Sequence, residues 1–151
     1  MDGKRVGIGH PSVKIAEMEL WNDQEMAYFG QLFAKTLPGD ELILLQGPMG
    51  AGKSTFTKGI GLSLSIQETM ISPTFVLVRE YGNPIRLVHV DLYRVDTLDE
   101  LQDMGIQDIL DRDVIRVIEW ADKFPGLQKW SDYQLHFSIL TETIRKVEIY
   151  G

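Results

Sequence analysis

The chain has 151 residues, of which 44% are hydrophobic and 25% charged, and its formal net charge at pH 7 is -7. This length predicts one domain with a sizeable core, and the negative charge argues against a large surface for nucleic-acid phosphates. The absence of cysteine excludes disulfides and thiolate chemistry, and no apolar run approaches the ~20 residues of a membrane span. We therefore expect a cytoplasmic protein with no membrane partner.

The N-terminal third of the chain predicts an arm, a helix, a strand and a second helix. Residues 1–16 show no hydrophobic period and are expected to form a flexible arm, which leaves residues 17–151 as the domain. In "NDQEMAYFGQLFAKTL" the apolar residues recur at helical spacing, with Asn22 or Asp23 as the cap. "ELILLQ" reads as a strand buried in a parallel sheet, and "KSTFTKGIGLSLS" predicts the next helix.

The remaining segments predict strands that alternate with helices. "TFVLVREY", "IRLVHVDLYR" and "VIRVIEW" predict three strands. "TLDELQDMGIQDILDR" predicts one helix, in which Thr97 and Glu100 form a capping box. "YQLHFSIL" and "RKVEIY" predict a hairpin through "TETI". Together these elements predict an α/β domain of three layers, with a mostly parallel central sheet and a C-terminal antiparallel hairpin.

The most specific local motif is "GPMGAGKS", residues 47–54, which fits G-x-x-x-x-G-K-[ST] between a strand and a helix. Glycines let the backbone amides turn inward around phosphate, and the helix dipole points at the same place. Lys53 is expected to reach the β- and γ-phosphates and Ser54 to join a magnesium shell, whereas Thr55 either contacts the α-phosphate or only packs. The motif predicts a P-loop NTPase-like fold, and its expected nucleotide-binding residues are Gly47, Gly50, Ala51, Gly52, Lys53, Ser54 and Thr55.

Two predicted strands end in an acid, Asp91 and Glu119. The C-terminal ends of parallel strands share one edge with the glycine motif, so either acid can face Mg²⁺ directly or through water. The alternative is that each acid only caps its strand. Between the glycine motif and these acids lies "SPTF", where Thr74 either presents its hydroxyl to the γ-phosphate or metal or belongs to a plain turn.

The motifs "GxxGAGKSTF", "SPTF", "HVDLYR" and "EW" occur in this order and closely resemble the TsaE family, also called YjeE. The resemblance runs from about Asn22 to Tyr150. It implies a P-loop ATPase that binds ATP and Mg²⁺ and is required for threonylcarbamoyladenosine modification of tRNA in bacteria. It also implies the partner proteins TsaB and TsaD, with tRNA reached only indirectly through the complex.

The resemblance also implies roles for individual residues. Ser54 and Glu119 look like the magnesium-side residues. Asp91 looks like the acid that links the nucleotide state to a mobile segment, and it is a further metal candidate. Thr74 looks like part of a switch loop. The residues to which the resemblance and the phosphate chemistry give a catalytic role are Lys53, Asp91, Glu119 and Thr74.

The resemblance implies positions for two further residues, and the chain departs from the family pattern at one place. Trp120 is expected near the nucleotide, with a buried sheet-edge aromatic as the alternative. Arg145 occupies the place of a family arginine close to the nucleotide, although an edge-strand arginine is usually only solvated. The family loop usually begins "GDLGAGK", whereas this chain has Pro48 and Met49. Phosphate binding should survive this change because it depends on backbone amides and Lys53.

Three other functions share the glycine motif. A small-molecule kinase would close a basic lid over its substrates, but the arginines here are dispersed rather than clustered. A GTPase would carry [NT]KxD or DxxG, and neither sequence is present. A nucleotide-gated binding module would hardly turn over, and the lack of a clear arginine finger in the sequence agrees with weak activity of the chain alone.

Overall fold

The computed structural model describes residues 11–151, and the strands in this part of the chain form one sheet. They are β1 (Lys14–Leu20), β2 (Leu42–Gln46), β3 (Val78–Tyr81), β4 (Leu87–Asp91), β5 (Ile115–Glu119), β6 (Tyr133–Ile139) and β7 (Arg145–Tyr150). Their order across the sheet is β1-β7-β6-β2-β5-β4-β3. The pairs β6–β2, β2–β5 and β5–β4 are parallel, whereas β1–β7, β7–β6 and β4–β3 are antiparallel. The predicted mostly parallel sheet is therefore only partly matched, and the predicted C-terminal hairpin is confirmed as β6–β7.

Helices cover both faces of the sheet, which confirms the three-layer prediction. On one face, α1 (Asp23–Lys35) packs against α2 (Lys53–Ser63), and the Phe29 and Phe56 ring centroids are 5.2 Å apart. The other face carries α3 (Leu98–Asp103), α4 (Ile106–Leu110) and the 3-10 helices Ala121–Lys123 and Pro125–Trp130. Successive residues of β2 pack into the hydrophobic cores on opposite faces of the sheet, because side chains alternate between the two faces of a strand.

Close packing of α1 on α2 explains a glycine inside the second helix. A Cβ at Gly59 would lie 2.0 Å from the Ala27 carbonyl oxygen. The helices can approach this closely only where the side chain is absent. Of the two predicted caps of α1, Asn22 and not Asp23 holds the position, and it accepts a hydrogen bond from the Glu25 amide.

Two predicted elements are shorter than expected. The prediction of a single helix after Thr97 is wrong. The chain forms two helices, α3 and α4, because Gly105 adopts a left-handed φ of 83° between them. The predicted capping box at Thr97 and Glu100 is confirmed. The strand "TFVLVREY" is confirmed only as β3, since the Leu77 amide bonds back to the Pro73 carbonyl at 2.6 Å in a turn.

The N-terminal strand was not predicted. β1 begins at Lys14 and pairs antiparallel with β7, so residues 14–16 of the predicted arm belong to the sheet. Residues 1–10 of that arm lie outside the described residues. Among residues 11–151, no helix combines the length and apolar character needed to cross a membrane.

Candidate functional site

The glycine loop, residues 47–54, connects the end of β2 to the first turn of α2. Gly47 and Gly50 have φ values of 144° and 79°, which strain any residue with a side chain. A Cβ on Gly47 would also lie 2.4 Å from the Phe137 carbonyl oxygen, so the loop is pressed against β6. At the start of α2, Gly52 provides no side-chain cap. The first amides of this helix are therefore available to an outside acceptor.

Lys53 is buried at the first position of α2, with 4% of its surface exposed. Its Nζ donates a hydrogen bond to the Gly47 carbonyl and lies 4.1 Å from the centroid of the Trp120 ring. Burial lowers the pKa of Lys53 below its ordinary value, and the charges of Glu119 and Asp91 oppose this shift. The amine is thus a desolvated cation held within reach of two carboxylates.

Asp91 and Glu119 face each other in the register of β4 and β5, each as the last residue of its strand. Both are buried, each with 3% of its surface exposed. Asp91 Oδ2 accepts a hydrogen bond from Thr74 Oγ1 at 2.8 Å, and Oδ1 accepts one from the Tyr93 amide at 2.8 Å. The "SPTF" segment, residues 72–75, is therefore tied to the edge of the sheet through Asp91.

Glu119 has a partner that sequence reasoning missed. His89 Nε2 lies 2.6 Å from Glu119 Oε2 in the buried space between β4 and β5. The signal was present in "HVDLYR", because a residue two positions before Asp91 on a strand points to the same face.

Trp120 and Arg145 close the sides of the site. Trp120 is half-buried with φ of 62°, and its ring lies 5.1 Å from that of Tyr93. Arg145 Nε donates to the Gly50 carbonyl at 3.1 Å, while Nη1 donates to the Thr141 carbonyl at 3.0 Å. The guanidinium group therefore braces the glycine loop and is not merely solvated.

These groups surround one cavity of about 500 Å³, a size typical of ligand sites. The predicted residues that line it are Gly50, Gly52, Lys53, Ser54, Thr55, Thr74, Asp91, Glu119, Trp120 and Arg145. Gly47 and Ala51 do not line it: Ala51 is fully buried, and Gly47 contributes its carbonyl to Lys53. Asp23, Met49 and Ser72 line the cavity without having been predicted as site residues; no site motif marks Asp23, which the packing of α1 brings there.

The sheet, the glycine loop and the cavity at the strand ends define a P-loop NTPase-like fold. The crystal structure of Bacillus subtilis YdiB matches it with a TM-score of 0.76 and 22% identity, covering 93% of this chain and 88% of that chain. This likeness concerns the fold.

The sequence comparisons identify the family. The model for "Threonylcarbamoyl adenosine biosynthesis protein TsaE" matches residues 20–147, and the chain belongs to the TsaE family. The protein named "tRNA threonylcarbamoyladenosine biosynthesis protein TsaE" of Aquifex aeolicus is 34% identical over 139 residues, which are 90% of this chain and 96% of that protein. Its namesake in Haemophilus influenzae is 34% identical over 130 residues, 82% of each chain.

Proposed function

We propose that the chain binds ATP with Mg²⁺ in this cavity and hydrolyses it in support of threonylcarbamoyladenosine formation in tRNA. One observation carries the proposal: the buried Lys53 of the glycine loop lines the same cavity as two buried carboxylates at strand ends, Asp91 and Glu119. Phosphoryl transfer needs a cradle for phosphates and acids on the opposite side for the metal and the attacking oxygen.

The phosphate side of the proposal rests on Lys53 and the start of α2. The Lys53 ammonium now bonds to the Gly47 carbonyl, a neutral acceptor. Phosphate oxygens are charged and make stronger hydrogen bonds with an ammonium group. Uncapped amides at the beginning of α2 add donors of the same kind.

The magnesium side rests on the chemistry of the donors. Ser54 and Glu119 both line the cavity and offer the hard oxygen ligands that Mg²⁺ prefers. Within residues 11–151, no group of three or more acidic, histidine or cysteine side chains is placed to hold a metal. Phosphate oxygens and water would therefore complete the shell, as is usual for Mg²⁺ bound with a nucleotide. The ion would neutralise charge on the β- and γ-phosphates.

Asp91 and Thr74 have a different role in the proposal. Both Asp91 oxygens already accept hydrogen bonds, from Thr74 and from the Tyr93 amide. We expect Asp91 to act on the metal shell through water and to transmit the loss of the γ-phosphate to the "SPTF" segment.

The proposed partners are TsaB- and TsaD-type proteins in the cytoplasm. Family membership supports a role in the same pathway, and the net charge of -7 supports the proposal that tRNA is contacted mainly by the partners. Arg145 bonds to the glycine loop in this structure. Weak hydrolysis by the isolated chain is expected if a group that stabilises the transition state comes from a partner.

The decisive test compares Lys53→Ala with Lys58→Ala, which removes an exposed lysine from the same helix. Lys53→Ala should weaken ATP binding about hundredfold or more, since two or more charge-assisted hydrogen bonds are lost, and Lys58→Ala should bind like the parent. Binding is measured with a fluorescent ATP analogue and turnover by release of phosphate. Parental activity in Lys53→Ala would refute the proposal, and transfer of phosphate to an acceptor in place of free phosphate would establish a kinase.

A further inference from the structure

The buried contact between His89 and Glu119 has no role in the chemistry proposed above. His89 is the third residue of β4 and lies opposite Val117 of β5, two residues before Glu119. Because side chains alternate along a strand, His89 and Asp91 point to the same face as Glu119. The imidazole therefore reaches diagonally along the neighbouring strand, from beneath the cavity, to contact the carboxylate.

The direction of this hydrogen bond follows from its partners. The His89 and Glu119 side chains are 3% and 4% exposed, and a buried carboxylate is costly unless a donor reaches it. An ionised carboxylate only accepts, so Nε2–H donates to Oε2. Within residues 11–151, no other hydrogen bond reaches the Glu119 carboxylate, and the residue lines the cavity. His89 thus holds Glu119 Oε2, and Oε1 is left to face the cavity.

We propose that His89 is a positioning residue that fixes the rotation of the Glu119 carboxylate and so presents Oε1 to the metal–nucleotide complex. The inference rests on the proposed function. Donors behind a ligating group commonly set its orientation in metal sites. Asp91, its neighbour on the same sheet edge, is held differently, since protein donors occupy both of its oxygens.

Three substitutions of His89 separate positioning from packing. His89→Gln places an amide nitrogen at about the distance of Nε2 from Cβ, and should restore the hydrogen bond. His89→Asn keeps an amide but ends near the position of Nδ1, too short to reach Glu119. His89→Leu removes the donor and keeps the volume apolar. Thermal melting of each variant establishes that it folds.

The measured quantity is the Mg²⁺ concentration that half-saturates the gain in affinity for a fluorescent ATP analogue. We expect His89→Asn and His89→Leu to raise it about 10- to 100-fold, and His89→Gln to stay within about threefold of the parent. Affinity without Mg²⁺, measured in chelator, should be unchanged because the glycine loop is intact. In a Glu119→Gln background, His89→Leu should have no further effect, because the two residues act as one unit.

Each alternative result counts against a defined claim. Folded His89→Asn or His89→Leu with parental Mg²⁺ dependence would overturn the positioning role alone. So would a His89→Gln variant as impaired as the other two, since that indicates packing. A parent chain whose ATP affinity does not respond to Mg²⁺ would overturn the proposed function, and this inference with it.

Discussion

The two walls of the cavity are built in opposite ways. One wall is the glycine loop and the start of α2, a single continuous segment whose shape depends on glycine backbone conformations. The other wall combines Thr74, Asp91 and Glu119, which come from a turn and two strands; Thr74 bonds to Asp91, and Glu119 bonds to His89. The first wall presents backbone donors and an ammonium, and the second presents carboxylates. We therefore expect changes in the first wall to alter the affinity for nucleotide with or without Mg²⁺, and changes in the second to alter turnover and the response to Mg²⁺.

After Lys53→Ala, the largest effect is expected from Gly47→Ala in the glycine loop. The new Cβ would lie 2.4 Å from the Phe137 carbonyl oxygen, at a φ of 144°. Displacing the loop by about 1 Å should weaken ATP binding about hundredfold, and the backbone strain should lower the free energy of unfolding by about 2–3 kcal/mol. Binding titrations and denaturant unfolding measure the two effects.

Gly50→Ala is the matched control for this prediction. Gly50 also has a positive φ, of 79°, but a Cβ there would meet nothing within 4 Å. The free energy of unfolding should therefore fall by only about 1 kcal/mol, from backbone strain. Equal losses of stability in the two variants would show that contact with β6 does not shape the loop.

An intermediate effect is expected from Thr74→Val on the opposite wall. The substitution removes the donor to Asp91 Oδ2 and keeps a similar volume. Turnover should fall about 10- to 100-fold, as for lost partners of a functional carboxylate, with little change in ATP affinity. Thr74→Ser keeps the hydroxyl and should behave like the parent. A loss of affinity as large as the loss of turnover would contradict the division of labour between the walls.

The smallest effect concerns pH and Lys53. Lysine binds phosphate in its protonated form, and burial lowers the pKa of Lys53 despite the opposing charges of Glu119 and Asp91. As pH is raised, the affinity for ADP should therefore begin to fall at a pH lower than the ordinary lysine pKa of ~10.4. The fall should be at most about tenfold per pH unit, because a single proton is lost. Without nucleotide, the free energy of unfolding should change in the opposite direction and rise with pH. The charged buried amine costs stability, and this cost disappears as pH rises through the lowered pKa.

Binding titrations from about pH 7 to 11 test this prediction. Lys58→Ala should follow the parent curve, because Lys58 is exposed and distant from the phosphates in the proposal. Affinity that stays flat up to the ordinary lysine pKa would show that burial does not perturb Lys53.

The sequence predicted the elements whose signals are local. The cap of α1, predicted at Asn22 or Asp23, and the Thr97 capping box depend on neighbours three residues apart; the cap is found at Asn22, and the capping box is confirmed. The break at Gly105 escaped prediction because a glycine is tolerated inside a helical pattern and only its left-handed conformation reveals the end of α3. β1 escaped although Ala16, Met18 and Leu20 alternate with Glu17 and Glu19 and face the core, because this alternation is short and the strand gains its hydrogen bonds from β7, which is far away in sequence.

The sequence by itself determined the family resemblance, the glycine loop and the two acids at strand ends, because each depends on residue types at short spacing. Only the tertiary structure decided which groups meet. The sheet register puts Asp91 beside Glu119 and brings His89 within 2.6 Å of Glu119, and the turn at Thr74 ties a separate segment to Asp91. Side-chain contacts between distant segments depend on strand pairing and packing, which no local pattern in one sequence specifies.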